Sequence, residues 1–369
     1  DCASLYNCIF MQNSENCSDC FFGFDLKGCR NCFGCVGLRQ KEFYIFNQPY
    51  SEEDYRKKLK EYDFGSSAGL GKIKKEYSHW ILQFPRKNMN LQNCENCEGN
   101  DLFYSNESFH CFGLLKADHA KYCYQGDMNM YSYDIFNSGR PNWCYEGLTP
   151  DDSYMTHFSW FSWKCKNVLY GINCHSSENL FGCVGLHRAK YCILNKQYSK
   201  EEYEALVPKI IEHMKKTGEW GEFPPAAISF FGYNETVAQE YFPLTKEQIL
   251  ANGWKWREPD LKEYQPQSFV ISDHIRDTKD DLSQKILACV ECGKNYKIIA
   301  QELKFYHQMN LPVPRKCSLC RHFDRLRLRP PYKLWDRACG KCGVNMKTVY
   351  SPERPEKVLC EKCYLDVLA

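Results

Sequence analysis

The feature that most constrains this chain is a 12-residue step in its apolar side chains. Cys8, Cys20, Cys32 and Tyr44 fall in one column, and Ile9, Phe21, Phe33 and Ile45 fall in the next. The step returns at Cys111, Cys123 and Ile135, beside Phe112, Tyr124 and Phe136, and again at Val168, Leu180 and Cys192, beside Leu169, Phe181 and Ile193. Residues 31–38 (Asn-Cys-Phe-Gly-Cys-Val-Gly-Leu) recur at 179–186 with one change, Cys32 to Leu180. The match continues at the same offset of 148 through Tyr50-Ser51 and Tyr198-Ser199 to Tyr55 and Tyr203. A short fixed period rich in β-formers, with Gly, Asn and Asp between, is the pattern of stacked coils that share one core. The sequence therefore predicts a mainly β protein: a parallel β-solenoid (β-helix) with inserted and capping helices. A coil of 12 residues and one of 24 fit the columns equally well.

Each copy leaves the repeat through a helix. Ser51-Glu-Glu-Asp54 and Ser199-Lys-Glu-Glu202 both offer a Ser cap for free backbone N–H groups, with an acid three residues on at the helix's positive end. Leu206, Ile210, Ile211 and Met214 then form an apolar stripe at helical spacing, suited to a lid over the last coil or to a partner's face. Residues 63–92 break the period with Gly and Ser and then a basic aromatic run. From about 215 to 280 the β period is gone; Thr245-Lys-Glu-Gln248 opens a short helix expected to stop at Gly253. The expected organisation is a first repeat copy with its exit helix (1–62), an insertion (63–92), a second copy with its capping helix (93–216), an irregular connector and linker (217–282), and a small domain at 283–369.

Cysteine use divides along the same line. Sixteen of the 24 cysteines precede residue 200 and eight follow residue 288. All eight of the latter lie in Cys-x-x-Cys pairs: Cys289/Cys292, Cys317/Cys320, Cys339/Cys342 and Cys360/Cys363. Two thiolates separated by two residues can grip one zinc from a tight turn, and a second pair completes a tetrahedron. The spacing thus predicts two structural zinc ions in a ribbon or treble-clef domain. Ligation by sequential pairs is the simplest assignment, with cross-pairing of 289/292 to 339/342 as the alternative, and disulfides as the other use of the thiols. Paired Cys-x-x-Cys motifs favour a reducing compartment, so the expected location is cytoplasmic. No run of about 18 apolar residues exists, so no membrane span is expected.

The earlier cysteines read differently. Cys17-Ser-Asp-Cys20 and Cys29-Arg-Asn-Cys32 have metal-site spacing, but their counterparts are Cys165, Val168, Ser177 and Leu180. A slot that accepts Cys, Val, Leu or Tyr is a packing slot, and free cysteine is among the most buried residue types. The alternative is a metal site in one copy only. His157, His175 and His187 belong to no matching constellation and read as structural. Asp151-Asp152 after Pro150 fits a turn better than an acid/base pair. No Gly-rich phosphate loop, nucleophile elbow or HExxH is present, which points away from an enzyme.

Charge adds a candidate surface. Residues 281–369 carry 17 Lys and Arg against 9 Asp and Glu, a net +8 that leaves −6 on residues 1–280. Between the zinc motifs lie Arg315, Lys316, Arg321, Arg325, Arg327, Arg329, Lys333, Trp335 and Arg337, with only Asp324 and Asp336 opposing them. Cations can neutralise phosphates and aromatic faces can stack on unpaired bases, so residues 315–337 are a candidate RNA or DNA surface. A solvated basic face, or one turned to the acidic repeats, is the alternative.

The wording NCFGCVGL, YCILNKQYSKEEYEALVPKIIEHM and EYFPLTKEQ resembles a family of bacterial hypothetical proteins with Cys- and aromatic-rich repeats and C-terminal zinc-ribbon modules. CGK, ELKFYHQMNLPVPRKCSLCR, CGKC and CEKCY are similar to small bacterial zinc ribbons. The resemblance implies metal binding and carries no activity. Taken together, the expectation is a non-catalytic zinc-binding scaffold whose basic tail engages nucleic acid or a nucleoprotein. The alternatives are a polysaccharide-acting β-helix enzyme, which needs carboxylates stacked on one outer face, and a protein–protein adaptor.

Overall fold

Backbone hydrogen bonding follows the 12-residue step, and a finer three-residue step lies inside it. The computed structural model describes residues 2–127, 136–139, 153–259, 262–267 and 269–368; the positions read above at Ile135 and Asp151-Asp152 lie outside them. Positive φ recurs at every third position, at Asn13, Asn16, Asp19, Phe22, Asp25, Gly28 and Asn31. Between these left-handed residues, every third side chain turns inward: Cys17, Cys20, Leu26, Cys29, Cys32 and Cys35 are all buried. The backbone binds its neighbours one step above and below, as Tyr6 N–H to the Cys17 carbonyl and Asp19 N–H to the Tyr6 carbonyl, both 3.0 Å. Left-handed backbone costs most residues about 1 kcal/mol or more, which is why Asn, Asp and Gly crowd these positions.

Three five-stranded sheets result. In the first, Ile9, Phe21, Phe33 and Ile45 stand in parallel register, and Gln48–Pro49 closes the sheet antiparallel. The second aligns Phe112, Tyr124 and Phe136. The third aligns His157, Leu169, Phe181 and Ile193, and Lys196–Gln197 closes it antiparallel. Buried inward side chains are small to medium in size, among them Cys, Ser, Val and Leu, and the thiols and hydroxyls can answer carbonyl groups. The Cys20 thiol donates to Ser18 O at 3.2 Å and Cys29 O at 3.6 Å. Ser159 in the third sheet does the same, to His157 O at 3.0 Å and Val168 O at 3.4 Å. Cysteine suits this slot as a small hydrophobe with a weak donor.

The expected mainly β solenoid is corrected by this architecture. The sheets are small and separate, seven among the described residues, and mix parallel with antiparallel pairing; none of those seven is closed or continuous through the described residues. Strand claims no larger share of the chain than helix. The physical reason is that most strands are four residues or fewer, and that long segments carry helix signals instead.

Helix α1 (Glu52–Leu59) and helix α2 (Ser67–Trp80) start from Ser51 and Ser66, whose hydroxyls accept the Asp54 and Gly69 N–H. Tyr55 of α1 and Leu70, Ile73 and Tyr77 of α2 cover Phe22, Phe33 and Ile45 of the first sheet. Helix α3 (Lys200–Thr217) opens with a reciprocal Ser199/Glu202 cap and ends at left-handed Gly218. Its Tyr203 and Val207 are buried on Phe181 and Ile193, with Leu206, Ile210, Ile211 and Met214 beside them. The short helices α4 (Ala238–Tyr241) and α5 (Lys246–Ala251) follow. Ile271, Ile275 and Leu282 share a core with Leu287, Ile298, Leu303 and Val313. Asp273 there holds the start of α2 through the Ser66 hydroxyl and the Ala68 N–H.

Candidate metal centres

Residues 287–368 build the same unit twice. In the first, the hairpin Leu287–Ala288 with Asn295–Tyr296 frames a tight turn carrying Cys289 and Cys292. The turn is drawn in by Cys289 N–H to the Lys294 carbonyl (3.0 Å) and Gly293 N–H to the Cys289 carbonyl (2.9 Å), with Gly293 at φ +72°. Helix α6 (Ala300–Gln308) and then helix α7 (Ser318–Leu326) follow, and α7 presents Cys317 at its cap and Cys320 in its first turn. The second unit repeats the geometry. The hairpin Trp335–Ala338 with Asn345–Thr348 carries Cys339 and Cys342, and Gly343 sits at φ +75°. Helix α8 (Glu361–Leu368) carries Cys363, directly after Cys360. A bridge ties each turn to the residue two before the second cysteine pair: Val290 N–H to Arg315 O at 3.1 Å, and Gly340 N–H to Val358 O at 2.9 Å.

The sulfurs converge accordingly. Cys289, Cys292, Cys317 and Cys320 form one group, and Cys339, Cys342, Cys360 and Cys363 the other, with all four ligand atoms of each within 4.8 Å of one another. The facing pairs Cys292/Cys317 and Cys342/Cys360 have their sulfurs 3.8 Å apart, contacts between thiols rather than disulfides. Sequential pairing is therefore the geometry, and cross-pairing is not. Burial pushes the Cys289 and Cys339 thiols up, but surrounding backbone N–H donors outweigh it and hold both at about 6. Burial and the three neighbouring thiols raise Cys320 and Cys363, the latter to about 12. Each group can hold a metal ion through four sulfurs, and four protein ligands close the coordination sphere, leaving no position for a substrate.

The sulfur-rich body is different. These two groups are the only ones of their kind among the described residues. Cys17, Cys20, Cys29, Cys32 and Cys35 are each committed to backbone carbonyls. Cys111 is raised by its Cys123 neighbour and by burial, so it stays a neutral thiol.

The predicted basic surface is largely occupied by its own neighbourhood. Arg315 donates to the Ile271 carbonyl at 3.3 Å, and Arg337 to the Ser351 carbonyl at 3.1 Å. Lys316 bridges Glu291 (2.5 Å) and Asp324 (2.9 Å), and Arg321 bonds Glu302 (3.0 Å) and the Tyr306 hydroxyl (2.8 Å). Arg327 pairs with Asp324 at 3.0 Å, yet remains exposed. Arg329 lies over the rings of Tyr241 and Tyr332, 4.7 and 4.3 Å from their centroids. Lys333 lies 5.3 Å over Trp335. Arg325 is exposed. Sequence reading missed the acids that absorb this charge, because Glu291 and Glu302 lie upstream of the basic run and the folding of α6 and α7 brings them back.

The second unit is also bound to the body. Val358–Leu359 pairs in parallel with Arg86–Lys87, and the Thr348 hydroxyl donates to the Asn88 carbonyl at 2.9 Å. The Tyr364 hydroxyl donates to Asp25 at 2.5 Å, and Lys87 pairs with Glu361 at 2.5 Å. No helix among the described residues is long and apolar enough to cross a membrane. Comparisons with family models, curated proteins and solved structures give no match.

Proposed function

We propose that this chain is a non-catalytic scaffold held together by two structural zinc ions, with an exposed basic edge on its metal units that contacts nucleic acid. The observation that carries the reading is the pair of closed four-sulfur clusters, each built from a tight turn and a helix start. An all-sulfur set with this turn geometry suits zinc, and such sites supply folding energy rather than reactivity. What supports the nucleic-acid part is exposed Arg325, Arg327 and Lys333 beside half-exposed Trp335; Arg315, Arg321 and Arg337 contribute through the integrity of the units instead. The polysaccharide-enzyme reading gains no support, because acids on the repeats sit opposite bases or amides. Glu178 pairs with Lys190 at 2.5 Å, Glu107 with His119 at 2.9 Å, and Asp118 accepts from Asn106 at 3.3 Å.

Elemental analysis of the purified full chain is the direct test, with about two zinc ions per chain expected. A stoichiometry below one, or a redox-active iron signal, overturns the structural-zinc reading. For the basic edge, the Arg325→Glu/Lys333→Glu variant should weaken binding to RNA and duplex DNA alike and flatten the salt dependence by about one to two counterions. Unchanged affinity and slope would remove that edge from the proposal.

A further inference from the structure

The segments that connect the strands of the third sheet carry a surface that neither metal unit uses. Isolated parallel bridges there stack Trp160, Ile172 and Val184 in one column, and Trp163, His175 and His187 in the next. The rings of the second column succeed one another at 5.0 Å (Trp163 to His175) and 4.7 Å (His175 to His187). The face is open to solvent: Trp163 is 46% exposed and Val184 51%. Outward left-handed positions beside that column hold Lys164, Ser176 and Arg188, all exposed. The three segments that form the face, residues 160–164, 172–176 and 184–188, contain two full cations and two imidazoles and no acid at all. On other faces of the repeats some bases are matched to an acid on the neighbouring 12-residue step, as Lys190 is to Glu178 and Arg39 to Asp25. Lys164 and Arg188 have no carboxylate within ion-pairing distance among the described residues.

Rings one 12-residue step apart, beside cations that pair with no carboxylate among the described residues, match a chain that alternates flat π faces with negative charge. We propose that this face binds single-stranded nucleic acid, with bases against Trp163, His175 and His187 and phosphates against Lys164 and Arg188. Stacking tolerates any base because every base has a π face, so the surface recognises strandedness and charge rather than sequence. A duplex hides its base faces and offers only phosphates, so it gains nothing from the rings. The proposal goes beyond the basic edge of the metal units: the two surfaces lie on different elements, and either can fail alone.

The test measures fluorescence anisotropy of labelled 12-nucleotide oligo(U) and oligo(dT), and of a random-sequence duplex, against full-length protein at several salt concentrations. Trp163→Leu should weaken single-strand binding about tenfold and leave duplex binding unchanged, the loss of one stacking platform. Lys164→Glu/Arg188→Glu should weaken it further and reduce the salt slope by about two counterions. Arg325→Glu/Lys333→Glu should spare the strand preference while lowering binding to all polyanions. Each variant is accompanied by a thermal melt; should Trp163→Leu not fold, the exposed-charge variant and His187→Ala carry the same comparison. Failure of the wild type to bind either oligonucleotide overturns the inference. So does equal affinity for duplex and single strand, equal competition by an acidic polysaccharide, or indifference of single-strand binding to the Trp163 and Lys164/Arg188 changes.

Discussion

At Gly99 an added Cβ would come within 1.9 Å of the Cys111 carbonyl oxygen, a backbone atom of the neighbouring strand. Nothing flexible can yield there, so Gly99→Ala should cost about 1–3 kcal/mol in urea unfolding; a change below about 0.5 kcal/mol would mean that the two strands slide freely. The inward thiols obey a related rule of size and donor count. Ser177 and Ser105 occupy such slots and bond their own carbonyls two residues back, at 2.9 and 3.1 Å. Cys20→Ser should therefore stay within about 1 kcal/mol of wild type, whereas Cys20→Trp overfills a closed slot and should cost about 1–3 kcal/mol. Glu356 gives the pH case. Burial pushes its carboxyl up, but the Arg354 guanidinium outweighs burial and holds it below the usual carboxylate range. A depressed folded pKa contributes stability that is present above the unfolded value near 4.3 and is lost as pH falls through the folded value. Thermal melts from pH 6 to pH 3 should thus fall more steeply for wild type than for Glu356→Gln, which starts about 1–3 kcal/mol lower at neutral pH; parallel curves would remove this carboxylate from the acid response. What sequence could show at this scale was the slot's tolerance: Cys20 against Val168, and Cys32 against Leu180. The three-residue rhythm was also written in Asn13, Asn16, Asp19, Asp25, Gly28 and Asn31. It went unread because Phe22, Phe43 and Phe46 adopt the same left-handed backbone without any propensity for it.

Elements with local signals were legible, and those defined by distant partners were not. The caps at Ser51, Ser199 and Thr245 rest on residues three apart, and all three hydroxyls accept the expected N–H. The four Cys-x-x-Cys turns are equally local, and spacing gave all eight candidate ligands, while their division into two sets of four needed the fold. The strand Val358–Leu359 had no such signal: it is two residues long and exists because Arg86–Lys87, far back in the chain, offers an edge. Its position immediately before Cys360 links metal binding to docking. Cys360→Ser leaves the second centre three sulfurs, and it should lose about one metal ion per chain while the first centre keeps its own. Hydrogen exchange should then quicken at Arg86 and Asn88, whose N–H groups donate to Lys357 O at 2.8 Å and Leu359 O at 3.0 Å. Exchange at Leu303, in the core beside the first centre, should not change. Full protection at 86–88 without the second metal would show that the strand pairing stands without its ligand.

For the whole molecule, the two metal units act as clasps on a body that has its own cores. Phe33, Tyr55 and Ile73 form one such core and Phe181, Tyr203 and Val207 another, and neither includes a metal-unit residue. The cluster of Phe112, Val349, Tyr350 and Val358, by contrast, is shared between the second sheet and the second unit. A sequence read as a platform with a separate tail misses this joint, since a packed interface between segments more than two hundred residues apart leaves no periodicity at either end. The consequence is an ordered disassembly. Structural zinc contributes folding energy only to the segments whose ligands it gathers. Removal of both ions by a strong chelator should therefore unfold residues from about 287 onward and strip the cover from Phe112 and Tyr124, while the first and third sheets keep their caps. Limited proteolysis of the chelated protein should release the C-terminal segment and leave a resistant fragment containing α3, and thermal unfolding should split into two transitions. Loss of the whole fold in one step on chelation would instead make the metal units the keystone of the body, with the sheets unable to stand without them.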